Sequence, residues 1–405
     1  MDIRILSNEE FNSFRESNPL KSFMQSINYG KVMSELGYGF ELIGLVSDET
    51  VLAASLILTK TSEYGFKYAY APKGFLVDYY NDELLQTFTD KIKKYYAKNG
   101  YIFIKINPEI VVGEVNNKTF NFSDNQNIGF KKSLTKYGYK KLKDNLYFES
   151  KCPRFNAYVD LNNTSIDNYS KTNRNKVRSS KKKGLYLSKG TFDDVDTFYY
   201  LSSKRYSLDF YRILYNIFSE KLDIILIKID YEKYLKELGD LYDKELDKNK
   251  LYNEIIHRSN DPKDINRKME SDLVLDKIKE DTILATNGLK DRNHEVVAAA
   301  LVLKDDIRVH IIDSGFNKEL KLNQNYYLYD SIINYYKDNY LFLDIGGVSG
   351  DFNTDSIYHG LNRFKCGFNP HIYEFIGEFD LLINERKYNK LWNQGKLALE
   401  LNKKD

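Results

Sequence analysis

The feature that most constrains the fold of this chain is an internal duplication of apolar strands. The segment VLAASLILTK, which begins at Val51, matches VVAAALVLKD, which begins at Val296. Further on, YYAKNGYIFIKIN from Tyr95 resembles YYKDNYLFLDIG from Tyr335, so order and spacing both repeat. Each copy has the pattern strand, strand, loop, amphipathic helix, buried strand, which indicates α/β layering. We therefore expect two related α/β domains packed side by side.

The length of the chain agrees with more than one domain. It has 405 residues, and single hydrophobic cores stop growing at about 300 residues. We predict a first domain at residues 1–150, on which the C-terminal residues 388–405 pack back. The second domain is predicted at residues 151–230 and 286–387.

Residues 231–285, between the two copies, have a different composition. They contain few β-formers and many Lys, Glu and Asp residues, which favours helix. Apolar residues recur along one stripe, first at Leu235, Leu238, Leu241, Leu246 and Ile255, and then at Ile265, Met269 and Leu273. Asp261 as N-cap and Pro262 in the first turn start a second helix. The pattern predicts an antiparallel helical hairpin that forms a coiled-coil arm, and the alternative is an ordinary surface pair of helices.

The overall charge does not exclude nucleic-acid binding, and the cysteines and histidines do not indicate a metal site. The net charge is only +2, so any surface that binds nucleic acid must be local. Cys152 and Cys366 lie far apart in the sequence, and the five histidines lack metal-ligand spacing. We expect reduced thiols, no structural metal and no cofactor.

We expect neither a signal peptide nor a membrane span in this sequence. Charges occur throughout the N-terminal MDIRILSNEEFNSFRESNPL, and no segment approaches 18 consecutive apolar residues. We expect a cytoplasmic protein whose contact with a membrane, if any, is peripheral.

One segment carries charge of a single sign. KTNRNKVRSSKKKG, from Lys171 to Gly184, holds seven cations and no acidic residue. A solvated helix face is one interpretation, and a surface that follows a phosphate backbone is the other. Composition alone favours the solvated face.

A lysine among aromatic residues lies near the C-terminus, in GLNRFKCGF from Gly360. Lys365 stands between Phe364 and Phe368, and an ammonium partly desolvated there would exert a stronger field on a developing negative charge. The alternative is a strand lysine that stacks on the aromatics or extends to solvent. On a strand, Cys366 would point to the opposite face, so we interpret it as a core residue and not as a nucleophile.

These features together resemble the FemABX family of aminoacyl-tRNA-dependent peptidyltransferases. The likeness spans nearly the whole chain and is carried by SFMQSINYGKVM, YAYAPKGFLVDYYNDELL, FIKINPEI, NRNKVRSSKKKG, LDIGGVSGDF and GLNRFKCGF through IGEFDL. It implies an α/β fold of two tandem acetyltransferase-like (GNAT) domains with an inserted coiled-coil arm. It also implies transfer of an amino acid from aminoacyl-tRNA to the stem peptide of a peptidoglycan precursor, lipid II or UDP-MurNAc-pentapeptide, which builds the interpeptide bridge.

The resemblance also implies residue roles. Lys365 matches the family's functional lysine, while Lys31 and Arg205 match residues that hold the diphosphate of the precursor. Surface charge is the alternative for both of the latter. The chain departs from the usual pattern at Lys73, where relatives often have Arg, and at Asn107, where Asp is common. A carboxylate base at position 107 is therefore excluded.

Further binding residues are predicted around these positions. We assign Phe364 to the substrate-binding surface beside Lys365. Gly346 and Gly347 end the strand LFLDIGG and would let a substrate approach the backbone, although a tight turn explains them equally well. The tRNA-binding candidates in the basic segment are Lys176, Arg178, Lys181 and Lys182.

Two other functions remain as alternatives. An acetyl-CoA-dependent GNAT enzyme needs a glycine-rich pyrophosphate loop before a helix, and the loops before Glu83 and Tyr326 do not have that pattern. The second alternative is a non-catalytic tRNA- or RNA-binding protein, in which the basic segment and the arm bind RNA without consuming the aminoacyl group.

Overall fold

The computed structural model of this protein describes residues 1–142, 144–146, 150–259 and 261–401. Its strands, in chain order, are β1 Asp2–Ile5, β2 Gly39–Ser47, β3 Thr50–Thr61, β4 Lys67–Ala71, β5 Tyr101–Ile106, β6 Val111–Val115, β7 Phe122–Asp124, β8 Tyr139–Lys141, β9 Phe155–Asp160, β10 Leu185–Gly190, β11 Leu222–Asp230, β12 His294–Asp305, β13 Arg308–Phe316, β14 Phe342–Val348, β15 His371–Phe375 and β16 Phe379–Leu382.

The helices surround these strands on both sheets. In chain order they are α1 Asn8–Ser17, α2 Ile27–Glu35, α3 Asp82–Lys98, α4 Phe130–Lys136, α5 Lys171–Ser180, α6 Val195–Leu201, α7 Leu208–Phe218, α8 Tyr231–Arg258, α9 Pro262–Asp291, α10 Gln324–Tyr336, α11 His359–Cys366, α12 Glu385–Asn393 and α13 Lys396–Leu401. Within the described residues, none of these helices is long and apolar enough to cross a bilayer.

The first sheet has seven strands in the order β1-β2-β3-β4-β5-β16-β8. All neighbours are antiparallel except β4 and β5, which are parallel and are connected through helix α3. A parallel pair needs such a crossover because the chain must return to the starting end of the sheet. Asn81 caps α3, whose face with Leu85, Phe88 and Ile92 is buried in the core under this sheet.

The second sheet repeats this arrangement and extends it. Its nine strands follow the order β10-β11-β12-β13-β14-β9-β15-β6-β7. Strands β13 and β14 are the parallel pair, and α10 makes the crossover. Thus β2 to β5 in the first sheet and β11 to β14 in the second share one order and one pattern of directions. This mixed-sheet architecture confirms the predicted α/β class, and the two sheets repeat one strand order.

The sheets exchange strands where the sequence predicted a simple division. Strands β6 and β7, placed in the first domain by the predicted boundary at residue 150, pair in the second sheet, where β6 lies beside β15. Strand β16, placed in the second domain by the boundary at residue 387, lies between β5 and β8 of the first sheet. The predicted boundaries at these strands are therefore wrong. The apolar pattern predicts that a segment forms a strand, but it does not indicate which strand lies beside it. That pairing is set only when the sheet assembles.

Helix packing joins the two halves of the molecule. Phe23 and Val32, from the N-terminal half, share a buried cluster with Phe210 and Leu214 of α7 and with Leu301 of β12. The chain also passes between the sheets at residues 107–110 and 376–378. The region between the sheets is therefore built by both halves.

The predicted helical hairpin consists of α8 and α9. Asp230 and Asp261 cap the two helices, with Pro262 in the first turn of the second. Asn249 of α8 donates its side-chain N–H to Ser271 Oγ of α9 at 3.1 Å, so the helices pair along their length. Helix α9 ends at Asp291, beyond the predicted arm boundary at residue 285.

The apolar stripe predicted for the second helix does not form the contact between the helices. Ile265, Met269 and Leu273 are exposed, the last by 70%. The buried positions of α9 include Leu275 and Ile278. The contacts of Ser271 with Glu245 and Asn249 of α8 place a different face of α9 against its partner.

The C-terminal helices α12 and α13 lie against the first sheet. Tyr388 Oη donates to Asp380 Oδ2 of β16 at 2.6 Å. Tyr388, Leu397 and Leu401 share a buried cluster with residues of the first sheet that include Phe103. Tyr388, Leu397 and Leu401 thus pack on the first sheet, and residues 402–405 of the predicted 388–405 segment lie outside the described part of the chain.

Candidate active site

A cavity lies between the two sheets and is lined by both halves of the chain. Apolar and small residues form one part of its wall, including Phe23, Met24, Tyr29, Cys152, Pro153, Phe210, Leu214, Ile311 and Ile312. The ionisable groups that also line it include Lys73, Glu109, Arg205, His310 and Asp344. A mostly apolar cleft with a few converging charges is the usual form of a substrate site.

Lys365 stands at the edge of this cavity, held against two glycines that line it. Its Nζ donates to the carbonyl oxygen of Gly347 at 2.8 Å. Gly346 has a φ of +82°, and a Cβ there would lie 3.2 Å from the same Nζ. A side chain at position 346 would therefore both strain the backbone and crowd the ammonium. The structure brings together the predicted residues Lys365, Gly346 and Gly347.

The environment of Lys365 favours its neutral form more than water does. Burial lowers the pKa of Lys365 to about 8, with Arg205 adding to the effect and Asp344 opposing it. At neutral pH the group is still mostly an ammonium, but one that lies in a poorly hydrated place. Such a charge acts strongly on an oxyanion that forms nearby.

The aromatic residues beside Lys365 in sequence do not frame its ammonium. The segment is helix α11 and not a strand, so neighbouring side chains point in different directions. Phe364 packs edge-on against Tyr329 at 4.9 Å and lies in the core of the second half, away from the residues that line the cavity. Cys366 lies in that same core, where burial raises the pKa of its thiol to about 12.

Arg205 reaches the cavity from a loop that a buried carboxylate organises. Asp313 of β13 accepts hydrogen bonds from Ser203 Oγ at 2.7 Å and from the backbone N–H of Arg205 at 3.4 Å. Tyr211 Oη, from α7, donates to the same carboxylate at 2.5 Å. The loop that carries Arg205 is thus tied to the second sheet, and the guanidinium is a forked donor for anionic oxygens.

His310 and Asp344 form a hydrogen-bonded pair in the wall of the cavity. His310 Nδ1 lies 3.1 Å from Asp344 Oδ2, and the backbone N–H of Gly346 donates to Asp344 Oδ1 at 2.8 Å. Burial would raise the pKa of the Asp344 carboxyl, but the hydrogen bond to His310 and its charge hold that pKa below the ordinary value. His310 Nε2 is buried without a hydrogen-bond partner among the described residues.

Lys73 and Glu109 complete the charged wall. Asn107 Oδ1 accepts the backbone N–H of Lys73 at 2.8 Å, and Lys73 itself has a φ of +56°. Glu109 Oε2 lies 3.5 Å from Arg308, while Tyr158 Oη donates to Glu109 Oε1 at 3.3 Å. Burial would raise the pKa of Glu109, but the nearby Lys73 and Arg308 hold it below the ordinary value. Asn107 therefore positions the loop through its carbonyl oxygen.

Lys31 does not reach the cavity. It is exposed on α2, whereas Tyr29 of the same helix lines the cavity wall. The helix buries one face against α7, and Lys31 lies outside that buried face. The structure thus places Lys31 on the exposed face of α2, outside the residues that line the cavity.

The predicted tRNA-binding residues lie on α5 and the turn after it. Lys176, Arg178, Lys181 and Lys182 are all exposed. Arg178 pairs with Asp167 at 3.2 Å and Lys181 with Asp330 at 2.9 Å. None of the ion pairs found among the described residues involves Lys176 or Lys182. Lys183, by contrast, is buried and donates to the carbonyl of Lys321.

Acidic residues near the C-terminus form structural ion pairs and do not contact Lys365. Lys105 lies 3.2 Å from Glu378 and 3.0 Å from Asp380, and all three side chains are buried. Glu374 pairs with Arg154. Within the described residues, no group of three or more His, Cys, Asp or Glu side chains could hold a metal ion.

Sequence reasoning missed His310, Glu109 and Lys73 as members of the cavity. His310 lies in a β-strand, and a single histidine there does not form a recognisable motif. Glu109 belongs to the segment FIKINPEI, in which no pattern distinguishes it as a site residue. The position of these residues relative to the strands could have indicated the site. Lys73 and Glu109 follow the carboxyl ends of the buried strands β4 and β5. Ligand sites in α/β folds occur at that edge of the sheet.

Comparison with known proteins agrees with this architecture. The FemAB family profile matches residues 6–392. Aminoacyltransferase FemA of Staphylococcus aureus strain MRSA252 is 25% identical over 416 residues, which cover 95% of this chain and 96% of the relative. FemA of strain COL matches to the same extent. The crystal structure of FemX aligns over 96% of this chain and 100% of that one, with a TM-score of 0.73 and 19% identity, which shows a shared fold.

The match of the family profile therefore covers the second sheet, the first sheet apart from β1, the cavity and the helical hairpin. The family expected from the sequence is confirmed. This chain belongs to the FemAB family.

Proposed function

We propose that this protein is an aminoacyltransferase that moves an amino acid from aminoacyl-tRNA to the stem peptide of a peptidoglycan precursor. The observation that carries the proposal is the match, over nearly the whole chain, to the FemAB family and to aminoacyltransferase FemA. The product would be part of an interpeptide bridge, and the acceptor would be lipid II or UDP-MurNAc-pentapeptide.

The chemistry needed is aminolysis of an ester. The amine nitrogen of the acceptor forms a bond to the aminoacyl carbonyl carbon, and the carbonyl oxygen becomes an oxyanion. The bond to the ribose oxygen of the tRNA then breaks, and that oxygen leaves as a hydroxyl. The protein must align two substrates and stabilise the oxyanion, and it needs no covalent intermediate.

The geometry of the cavity supports these roles. The Lys365 ammonium at the edge of the cavity supplies a positive charge for the oxyanion. Arg205 lines the same cavity and offers a forked donor to the diphosphate of the precursor. Lys31 is proposed for the same diphosphate from the outside of α2, and the exposed cations of α5 are proposed for the tRNA backbone.

The finer architecture is also part of the proposal. Two halves that share one strand order support descent from a duplicated acetyltransferase-like (GNAT) domain. The pairing of α8 with α9 supports a coiled-coil arm. Because the proposed donor is found in the cytoplasm, we place the reaction there, with peripheral contact to the inner membrane face when the precursor is lipid-linked.

Mass spectrometry of the precursor tests this function. Purified lipid II and UDP-MurNAc-pentapeptide are each incubated with the protein and a mixture of charged tRNAs. We expect the mass of one precursor to rise by one or more amino-acid residues. No mass change in either precursor, together with binding of charged tRNA, would support the RNA-binding alternative. Acetylation of a precursor by acetyl-CoA would support the other alternative.

A further inference from the structure

His310 occupies a place in the cavity that none of the proposed roles uses. It lies on β13, lines the same cavity as Arg205 and Gly346, and is 6% exposed. Its ring stands beside Phe23 at 5.3 Å between centroids, which fixes the ring from the N-terminal half of the chain. Both halves therefore hold this imidazole in position.

The contact with Asp344 determines which nitrogen of His310 carries the proton. An ionised carboxylate only accepts hydrogen bonds, so Nδ1 at 3.1 Å from Asp344 Oδ2 must be the N–H donor. In the neutral ring Nε2 is then an acceptor with a free lone pair. This nitrogen is buried and has no hydrogen-bond partner among the described residues. A buried acceptor without a partner calls for an explanation, and a catalytic role is one that native proteins show.

Other polar groups in or beside the cavity wall are less suited to take a proton. Asn107, at the position where a carboxylate is common in relatives, is an amide that already accepts the Lys73 backbone N–H. Glu109 is paired with Arg308 and hydrogen-bonded by Tyr158. Lys365 is mostly protonated at neutral pH.

We propose that His310 is the general base of aminoacyl transfer in this protein, and that Asp344 is the positioning residue that orients it. The inference rests on the proposed function. As the acceptor amine bonds to the carbonyl carbon, one N–H proton passes to His310 Nε2. When the ester C–O bond breaks, the imidazolium gives that proton to the leaving ribose oxygen and returns to its neutral form. The positive charge that forms on the ring is stabilised by the Asp344 carboxylate.

The connection to Lys365 supports this assignment. Asp344 accepts the Gly346 N–H at 2.8 Å, and the next residue, Gly347, accepts the Lys365 ammonium at 2.8 Å. Residues 344–347 of β14 therefore contact both groups. Asp344 orients the proton acceptor His310, and Gly347 binds the cation Lys365 that stabilises the oxyanion. Aminolysis requires these two functions close together.

His310→Asn is the variant that tests the base. The Asn amide N–H can replace Nδ1–H in the bond to Asp344, but nothing replaces Nε2. We expect the single-turnover rate of transfer from charged tRNA to the precursor to fall by about 100-fold or more. Binding of an amide-linked, non-reactive aminoacyl-tRNA should not change. His371→Asn, an exposed histidine on β15, is the matched control and should transfer at the wild-type rate.

The pH dependence provides a second readout, which a structural role would not produce. Protonation of His310 should give the wild-type rate an acidic limb that His310→Asn lacks. The charged groups around the ring are Asp344, Glu109, Lys73 and Arg308, with Lys365 and Arg205 next to them. Asp344→Asn removes the carboxylate that stabilises the imidazolium, so the acidic limb should move to lower pH.

The outcomes separate this inference from the proposed function. A wild-type protein that transfers nothing would overturn the function itself. Transfer by His310→Asn at the wild-type rate, or a loss of rate fully explained by weaker substrate binding, would overturn only the role of His310. An acidic limb that does not move in Asp344→Asn would remove the positioning role of Asp344.

Discussion

At the scale of single residues, Lys365 has its chemistry because of groups that are distant in sequence. Its Nζ is bound by Gly347 O, and Arg205 and Asp344 act on its charge. Its neighbour Phe364 packs instead into the core of the second half. The proposed role of Lys365 thus depends on the meeting of α11, β14 and the loop of Arg205.

We predict that Lys365→Met lowers the single-turnover rate of transfer by about 100-fold or more, the effect of losing one preorganised oxyanion donor. Methionine keeps most of the apolar stem and removes the charge together with the hydrogen bond to the Gly347 carbonyl. The measurement is single-turnover transfer from charged tRNA to the precursor. Lys132→Met, an exposed lysine on α4, serves as the control. Transfer by Lys365→Met at the control rate would show that the lysine is structural.

The same substitution should also change the pH profile. Because burial lowers the pKa of Lys365 to about 8, the ammonium is lost as the pH rises through 8. Wild-type activity should therefore fall above pH 8, and Lys365→Met should lack this alkaline limb. A limb that persists unchanged in the variant would assign it to another group.

At the scale of secondary-structure elements, strand β16 shows how the first sheet keeps a strand that comes from far along the chain. Its Asp380 and the preceding Glu378 lie against Lys105 of β5, with all three side chains at most 1% exposed. Ser150 Oγ also donates to Glu378, at 2.6 Å. The attraction between Lys105 and the two carboxylates offsets the cost of burying these charges. If one partner is removed, the remaining charges stay buried without compensation.

We predict that Lys105→Met lowers the free energy of unfolding by about 3–5 kcal/mol, because two buried carboxylates lose their cation. Urea unfolding monitored by circular dichroism measures the change. Lys67→Met, an exposed lysine on the adjacent strand β4, should change it far less. Equal effects of the two variants would mean that the buried ion pairs contribute nothing specific.

The cations of α5 and of the turn after it lead to a second prediction at this scale, because only some of them pair with acidic residues. Lys176 and Lys182 form none of the ion pairs found among the described residues, whereas Arg178 and Lys181 pair with acidic residues. We expect Lys176→Gln with Lys182→Gln to weaken binding of charged tRNA and to flatten its dependence on salt. Arg178→Gln with Lys181→Gln is the matched control and should have the smaller effect. If the slope of log affinity against log salt is the same in both double variants and in the wild type, α5 does not contact tRNA.

At the scale of the whole molecule, the helical hairpin is partly an arm and partly core. Tyr231, Tyr234 and Leu238 at its base are buried in the core of the second half, together with Ile278 and Ala285 of the returning helix. Farther out, the two helices bury residues mainly against each other. The hairpin is therefore not a separate folding unit over its full length.

We predict that removal of the outer part alone leaves the protein folded. Replacing residues 246–274 with a short Gly-Ser linker should keep one cooperative melt and lower Tm by no more than about 4 °C. Deleting residues 231–291 should instead abolish the cooperative melt, because it removes buried side chains from the core. Calorimetry of both deletions decides the question, and equal stability of the two would contradict the division into base and outer arm.

The sequence by itself determined the α/β class, the duplication, the helical insertion with its capped start at Asp261, and the family. These features depend on local periodicity, capping chemistry and ordered motifs, which are properties of neighbouring residues. It also identified Arg205, Gly346 and Gly347, which line the cavity, and Lys365, which stands at its edge.

Only the tertiary structure decided which strands exchange between the sheets, which face of α9 meets α8, and how His310 comes to stand beside Asp344. The apolar periodicity of a strand or helix shows which of its faces is apolar, but it does not show which other strand or helix packs against that face. His310 and Asp344 lie on adjacent parallel strands with α10 between them in sequence, so their 3.1 Å contact depends on the register of β13 with β14. Register, burial and converging charge are set when distant segments pack together, and this physical step created the candidate active site.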